Sequence, residues 1–379
     1  MKSSLSRQRI EAAGKKGKDL SICVVGAGNG GLAMAGHLGV LGFDVRLFNR
    51  TDAALSGVRW HGGVHMSGAV HGFGPVALAT SDISLALRGA DLVMIVTPAT
   101  AHAELARCMA PYLEDGQVVV LNPGRTGGAL EFRRALGLAG ARGEPVIAEA
   151  QTLLYASRAI SRHEARIFKI KNGVPVAALP SYWTPEVLNL LDSAFPQFIA
   201  GSNVLATSLE NIGAVFHPAL TILNAGWIEA TRGDFDYYLQ GITPSVAIFL
   251  EKVDEDRMAV ARRLGVRSST AREWLYLSYD APGDTLYEAI HNTAAYRGIK
   301  APQSIAHRYI SEDVPMSLVP ISSIGAMLGV PTPSIDMVIE LGSILHGVDY
   351  RAVGRTVERL GLEGMSVEDI HRLAMDPDS

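Results

Sequence analysis

The amino-acid sequence predicts an α/β chain in two parts, a doubly wound parallel-sheet domain followed by an all-helical domain. Three observations carry this reading. Up to about residue 200, short apolar runs that end in turns alternate with helix-like segments. A glycine-rich loop joins the first of these runs directly to the first helix. Beyond that point the alternation stops and only helical periodicity remains.

The elements follow in order. Ser21-Ile22-Cys23-Val24-Val25 is apolar at nearly every position, as a strand buried on both faces of a parallel sheet requires. Leu32 to Leu41 reads as a helix and Asp44 to Asn49 as a second strand. Asp91 to Val96 and Gln117 to Leu121 read as later strands, closed by Thr97-Pro98 and Asn122-Pro123-Gly124, with helical patterns at Ile83–Leu87 and Ala101–Leu113. In the second part, Asn203–Ala225, Pro244–Leu264, Pro333–Leu345 and Tyr350–Leu360 carry helical spacing. Thr243 is an N-cap ahead of a proline at the first helical position, and Ser366 to Asp369 approximates a capping box for a last helix. The domains expected are 20–202 and 203–379. Residues 1–19 are expected to be a basic flexible tail, as they lack the apolar stretch that a secretory signal needs.

Composition excludes several classes. With 379 residues the chain has room for two or three domains, and the loss of alternation selects two. Apolar residues are 48% and charged residues 19%, the reverse of a disordered chain. No apolar run approaches the roughly 18 residues of a membrane span. Thirty-four basic against 38 acidic residues leave a net charge of -4, which gives no electrostatic argument for nucleic acid or an anionic membrane as partner. Cys23 and Cys108 lack metal-ligand spacing and suit a reducing, cytoplasmic setting. No metal site is expected; the histidines at 61, 65 and 71 have no acidic or cysteine partner nearby in sequence.

Gly26-Ala27-Gly28-Asn29-Gly30-Gly31 fits G-x-G-x-x-G through positions 26, 28 and 31, after a strand and before a helix. That context is the Rossmann dinucleotide loop: a tight turn, close approach of backbone to a pyrophosphate, and helix amides aimed at it. The simpler reading is a glycine turn without a ligand. At the end of the second strand an NAD site places an acid for the ribose 2′-hydroxyl. This chain has Asn49-Arg50-Thr51 instead, and Arg50 can pair with a 2′-phosphate. NADP(H) is therefore favoured over NAD(H). Thr97-Pro98 and Asn122-Pro123-Gly124, at the sheet's carboxyl edge, are expected to line the nicotinamide half, with Gly127 and Gly128 shaping the same loop.

The helical domain must supply a group that moves protons. Lysine is a poor candidate, because after Lys171 only Lys252 and Lys300 remain and neither lies in the first long helix. His217, followed by Pro218, stands at an expected helix break within an apolar stretch, where an imidazole with an ordinary pKa of about 6.5 can project into a cleft. A core histidine satisfied by a carbonyl is the competing reading. His307 to Pro315 is a polar interruption: Arg308 can clamp a carboxylate, and Asp313 or Glu312 can hold a histidine tautomer. A surface salt-bridge cluster is the alternative there.

With these residues assembled, the chain resembles the octopine/nopaline (opine) dehydrogenase family, nearest to its bacterial N-(1-D-carboxyethyl)-L-norvaline dehydrogenase branch. The resemblance runs from residue 21 to about 370 through GAGNGGLAMAGHL, LNPGRTGGALEFRR, NIGAVFHPALTILNA, YYLQGITPSV, EAIHNTAAYRGIKAP, HRYISEDVPMSLVP and GVPTPSIDMVIEL. The glycine loop is widely shared and the last stretch is common to ketopantoate reductases, whereas the His-Pro helix with the Arg-Tyr…Glu-Asp segment is more specific. The resemblance implies reductive condensation of an α-keto acid with the amino group of an L-amino acid, using NAD(P)H. It implies His217 as general acid/base, Asp313 as its orienting partner, Arg308 as carboxylate ligand and Thr152 as a weaker substrate contact. The expected substrates are small molecules, and the helical second domain is expected to make the chain a homodimer. Asn49-Arg50 departs from the acidic strand end of the norvaline branch and resembles the Asn-Arg-Thr of NADP-dependent 6-phosphogluconate dehydrogenases. Rival functions are a keto-acid or ketopantoate-type reductase that needs no amine, and a non-catalytic NADP(H) sensor.

Overall fold

The computed structural model describes residues 19–375, so the expected tail lies, apart from Asp19, outside the described residues. The described chain divides into two compact units: 19–124, Gly128–Thr207 and 371–375 in the first, Arg125–Gly127 and Ser208–Ile370 in the second. The boundary expected between 202 and 203 falls at Thr207–Ser208. Three residues of a loop, 125–127, belong to the second unit, an assignment that carries no signal in composition or periodicity.

The first unit holds twelve strands: β1 (Ser21–Val25), β2 (Asp44–Phe48), β3 (Gly63–Gly68), β4 (Gly72–Pro75), β5 (Leu78–Thr80), β6 (Leu92–Ile95), β7 (Val118–Leu121), β8 (Val146–Ala150), β9 (Tyr155–Ala159), β10 (Glu164–Ile170), β11 (Val174–Leu179) and β12 (Phe198–Ala200). Eight form one sheet in the order β12-β11-β8-β7-β6-β1-β2-β5. Its pairings are parallel except that β11 runs antiparallel to β8. The continuous apolar runs of β1, β6 and β7 are buried at every position, as a sheet covered on both faces requires.

Helix α1 (Asn29–Leu41) starts at the glycine loop and is buried from Gly31 to Gly39. Its burial on all sides follows from packing between the large sheet and a second one, in the order β4-β3-β10-β9. That smaller sheet was not expected. Two of its strands, GVHMSG and GFGP, are glycine-rich and read as loop. The glycines permit close packing: a side chain at Gly39 would meet the Pro75 carbonyl oxygen at 2.5 Å. This sheet also collects His65 with His61 and His163, the last two rings stacked at 3.8 Å, while among the described residues no group of three potential ligands is placed to hold a metal ion. Helix α2 (Gly128–Leu138) follows β7, its first turn capped by Glu149, which accepts from the Ala129 amide at 2.8 Å.

The helix expected over 203–225 is divided: Val204–Leu209, across the boundary, is separate from α3 (Ile212–Leu223) and from Ala225–Thr231 in the second unit. Similarly, 350–360 divides into Tyr350–Val353 and Val357–Leu360 around Gly354. The break expected at His217-Pro218 is absent, since α3 runs through Pro218. A mid-helix proline costs one backbone hydrogen bond, and here the buried faces of Val215, Phe216, Ala219 and Leu220 hold the helix against neighbours. α4 (Pro244–Arg263) packs on α3 and on α5 (Pro333–His346), and Asp256 of α4 caps α5 by accepting from the amides of Ser334 (2.7 Å) and Ile335 (3.1 Å). Buried Arg257 is satisfied by Asp254, the Leu209 carbonyl and Ser268. Among the described residues no helix is long and apolar enough to cross a membrane.

Candidate active site

Each unit carries one half of the expected chemistry. In the first, β1 is followed by Gly26, whose φ of +113° only glycine adopts without strain. A side chain at Gly31 would collide with the Gly26 carbonyl oxygen, so this glycine sets how closely helix and loop pack. Gly28 is the N-cap of α1 and makes no side-chain cap, leaving the first helix amides without partners from that residue. A Cβ at Gly28 would meet nothing within 4 Å, so the loop is open where a phosphate must approach. Gly30 faces Leu153 and Val96.

The remaining cofactor candidates sit around this loop. Asn49 is structural: its Oδ1 accepts from the Ala27 amide at 3.1 Å and its Nδ2 donates to the Thr51 carbonyl at 3.1 Å. Asn29 is engaged likewise, its Oδ1 accepting from the Ala159 amide at 2.9 Å, so it offers a ligand backbone rather than side chain. The Arg50 side chain is 80% exposed, with Glu104 3.5 Å away. Asp52, the next acid along the chain, is turned to Arg59 at 2.7 Å. Thr97 Oγ1 and Asn122 Oδ1, past the carboxyl ends of adjacent strands β6 and β7, are buried oxygens without a hydrogen-bond partner among the described residues. Pro98 is exposed, and the Gly124 amide donates to the Ala150 carbonyl at 3.1 Å. An open glycine cradle after β1, with two orphaned oxygens past the carboxyl ends of β6 and β7, fits a dinucleotide at the carboxyl edge of the sheet.

The second unit assembles a cluster around His217. Its Nδ1 lies 3.0 Å from Oδ2 of Asp313, and its Nε2 lies 3.1 Å from the Tyr238 hydroxyl. Tyr309 stacks on the ring at 4.0 Å and 25°. Asp313 is fully buried and also ion-paired through Oδ1 to Arg125, at 3.1 Å. Arg125 meets Glu312 at 3.3 Å, and Glu312 in turn meets Arg308 at 3.0 Å. Since an ionised carboxylate only accepts, Nδ1 of His217 carries a hydrogen, and the neutral ring presents a lone pair at Nε2.

Local winding divides the two adjacent acids. Arg308–Ser311 is a single helical turn, and Val314–Leu318 is wound as a π-helical turn beginning immediately after Asp313. Asp313 thereby reaches His217 while Glu312 reaches Arg308. Burial opposes the charge on Arg125, but Asp313 and Glu312 outweigh it and raise its pKa. Burial lifts the phenols of Tyr237 and Tyr238 well above the ordinary range, and burial with the Asp313 charge lifts Tyr309. Burial, then the charges of Arg308 and His217, lower His307.

The expected His217 and Asp313 are thus in contact. Arg308 is 56% exposed and engaged with Glu312, and Thr152 lies in the first unit, accepting from Lys171 Nζ at 2.7 Å. Sequence reasoning gave no role to Arg125, Tyr238 or Tyr309. The signal available for Arg125 was a lone cation among the small residues of Gly124-Arg125-Thr126-Gly127-Gly128.

Comparison with known proteins follows the same division. The helical domain of NAD/NADP octopine/nopaline dehydrogenases matches residues 200–346, and the N-terminal domain of NAD-dependent glycerol-3-phosphate dehydrogenases matches 21–123. An opine dehydrogenase of Arthrobacter sp. (strain 1C) is 41% identical over 348 residues, 92% of this chain and 96% of the relative. The chain belongs to the octopine/nopaline (opine) dehydrogenase family. An octopine dehydrogenase of Mizuhopecten yessoensis is 26% identical, covering 84% of this chain and 88% of its own. Octopine dehydrogenase solved with NADH and L-arginine superposes with a TM-score of 0.76 at 23% identity, over 93% of this chain and 97% of that one. Yersinopine dehydrogenase with NADP+ gives 0.68 at 16%, over 95% and 96%. Both share the fold, a Rossmann-type domain followed by a helical one. As a member of this family the chain is an NAD(P)-dependent oxidoreductase acting on the CH–NH group of donors, the reductive condensation of a keto acid with an amino acid.

Proposed function

We propose that His217 is the acid–base centre of this condensation, with Asp313 as its orienting partner, and that NADP(H) is used in preference to NAD(H). The observation that carries the first part is the 3.0 Å contact between Nδ1 of His217 and the buried Asp313 carboxylate. It fixes the tautomer and leaves Nε2 as the position where a proton is held or released. When bound on the glycine loop, the nicotinamide supplies hydride in synthesis and accepts it in oxidation. In synthesis the protonated His217 gives up its proton as the adduct of keto acid and amine loses water. In oxidation it takes that proton back as water adds to the imine. Arg308 is the proposed ligand of the keto-acid carboxylate: its side chain is about half exposed, and its partner Glu312 retains Arg125 when Arg308 turns to a substrate. Thr152 is proposed as a secondary substrate contact.

NADP(H) is favoured because no acid stands at Asn49-Arg50-Thr51, and Asp52 is committed to Arg59. The exposed Arg50–Glu104 pair is worth about 0–1 kcal/mol, little enough for Arg50 to exchange it for a 2′-phosphate. We also propose a cytoplasmic homodimer. Both cysteines are free, and α5 leaves Met337, Leu341 and Ile344 exposed at helical spacing; sedimentation at micromolar concentration is expected to give twice the chain mass.

The test is NADPH oxidation with pyruvate, glyoxylate or 2-oxoglutarate against the proteinogenic amino acids. Turnover is expected only with both substrates present; turnover of keto acid alone would mark a simple carbonyl reductase. His217→Ala is expected to lower kcat by about 10²-fold or more, and retention of over a tenth of the activity would remove the assigned role. A kcat/KM for NADH equal to or above that for NADPH would overturn the cofactor preference. Arg308→Lys is expected to raise KM for the keto acid with little change in kcat; an unchanged KM would remove Arg308 from the substrate contacts.

A further inference from the structure

The geometry points to Tyr238 as a further member of the proton chain, so that the proton exchanged with substrate passes through its phenol hydroxyl to and from Nε2 of His217. This rests on the reading of His217 as the acid–base residue and extends it by one group.

The imidazole is held at three places. Asp313 takes Nδ1 at 3.0 Å, Tyr309 covers one face at 4.0 Å, and Tyr238 Oη sits on Nε2 at 3.1 Å. The nitrogen that has to exchange a proton is therefore already in contact with a hydroxyl. Tyr238 is itself fixed: its ring stacks on Tyr296 at 4.1 Å and 14°, and Tyr237 packs edge-on at 5.1 Å and 72°. Tyr237 is anchored in turn, its hydroxyl within 2.7 Å of Thr221 Oγ1 and 3.1 Å of the His217 carbonyl oxygen. The backbone of His217 and the ring of Tyr238 are thus braced by one neighbour, which keeps the Oη–Nε2 contact in register.

A hydroxyl suits this place because it donates and accepts at once. Against neutral His217 it donates to Nε2; against the imidazolium it accepts the Nε2 hydrogen and turns its own outward. In the dehydrating step of synthesis, the Tyr238 hydroxyl proton moves to the departing hydroxyl of the substrate adduct. The C–O bond breaks with its electron pair on oxygen, water leaves, and the nitrogen lone pair forms the iminium bond. The Nε2 proton of His217 replaces the one lost from Oη. The imidazolium charge passes to the iminium, and every atom is accounted for. Oxidation runs the same transfers backwards as water adds. Burial holds the Tyr238 phenol protonated far above neutrality, so the two transfers are coupled and no free phenolate forms.

Tyr238→Phe keeps the ring and its stacking and removes only the hydroxyl. Under single-turnover conditions with saturating NADPH, keto acid and amino acid, the rate is expected to fall by tenfold or more, with NADPH affinity unchanged by fluorescence titration. A proton inventory in H2O/D2O mixtures is expected to change from curved, with two protons in flight, to linear, which a merely structural hydroxyl would not produce. A loss of less than tenfold, or an inventory of unchanged form, overturns the assignment. If this variant fails to fold, 3,5-difluorotyrosine at 238 retains the hydroxyl and increases its acidity. A changed single-turnover rate and pH profile support the relay, and unchanged values overturn it. His217→Asn separates the two readings. Inactive His217→Asn beside active Tyr238→Phe removes only the relay, whereas His217→Asn within tenfold of wild type removes the acid–base reading beneath it.

Discussion

Arg125 offers the sharpest test of the electrostatics. Its side chain is 9% exposed and lies between Asp313, at 0%, and Glu312, at 4%. Removing one partner from a buried ionic cluster leaves charge uncompensated, a loss of about 3–5 kcal/mol. Arg125 also holds φ at +61°, a left-handed conformation that costs a residue with a Cβ about 1–2 kcal/mol. The two terms separate in a pair of variants. Arg125→Ala removes the guanidinium and keeps the strain, for a net loss of about 3–5 kcal/mol. Arg125→Gly removes both and is expected to be more stable than Arg125→Ala by about 1 kcal/mol. With an m-value near 2 kcal/mol/M, the alanine variant lowers the urea midpoint by about 1.5–2.5 M. Tryptophan fluorescence follows this, since Trp227 and Trp274 report on the second unit. A midpoint shift below about 0.5 M would mean that the two carboxylates do not depend on Arg125, and a glycine variant weaker than the alanine variant would refute the strain argument.

The first unit gives a contrast between neighbouring glycines. Gly31→Ala drives a Cβ into the Gly26 carbonyl and is expected to lower both stability and NADPH affinity. Gly28→Ala meets no protein atom within 4 Å and is expected to weaken NADPH binding at nearly unchanged stability, as checked by thermal unfolding and fluorescence titration. His307 gives a pH dependence: burial, then Arg308 and His217, lower its folded pKa below the ordinary 6.5. As pH falls below 6.5 the unfolded chain takes the proton first, so stability declines there; His307→Gln is expected to reduce that slope in urea titrations at pH 5 to 7. Burial pushes the Cys23 thiol up to about 12 while Cys108 is exposed, so Ellman's reagent is expected to titrate one thiol in the native protein and both in denaturant. Rapid reaction of Cys23 under native conditions would show that β1 opens locally.

What could be read from the sequence was what is decided locally. β1, β2 and the start of α1 were legible because a run of consecutive apolar residues, a glycine loop and a helical pattern each depend only on their neighbours. The smaller sheet was not, since glycine-rich β3 gains its strand character from parallel pairing with β10, from His65–Glu164 to Gly68–Ile167. Pro218 misled for the converse reason: its intrinsic preference is to break a helix, and the buried side of α3 overrides it. The site divides along the same line. His217 and Asp313 were nameable as residue types, His217 from its setting and Asp313 as one of two adjacent acids. The choice between Glu312 and Asp313 is made in three dimensions: both pair with Arg125, and only Asp313, immediately before the π-helical turn, reaches His217. Arg125 and Tyr238 fall outside any local pattern, since one sits in a three-residue stretch of the second unit whose flanking residues belong to the first, and the other in a run of two tyrosines with the composition of core. Both are defined by what they touch: Arg125 pairs with the carboxylate that meets Nδ1 of His217, and Tyr238 meets Nε2 of the same ring.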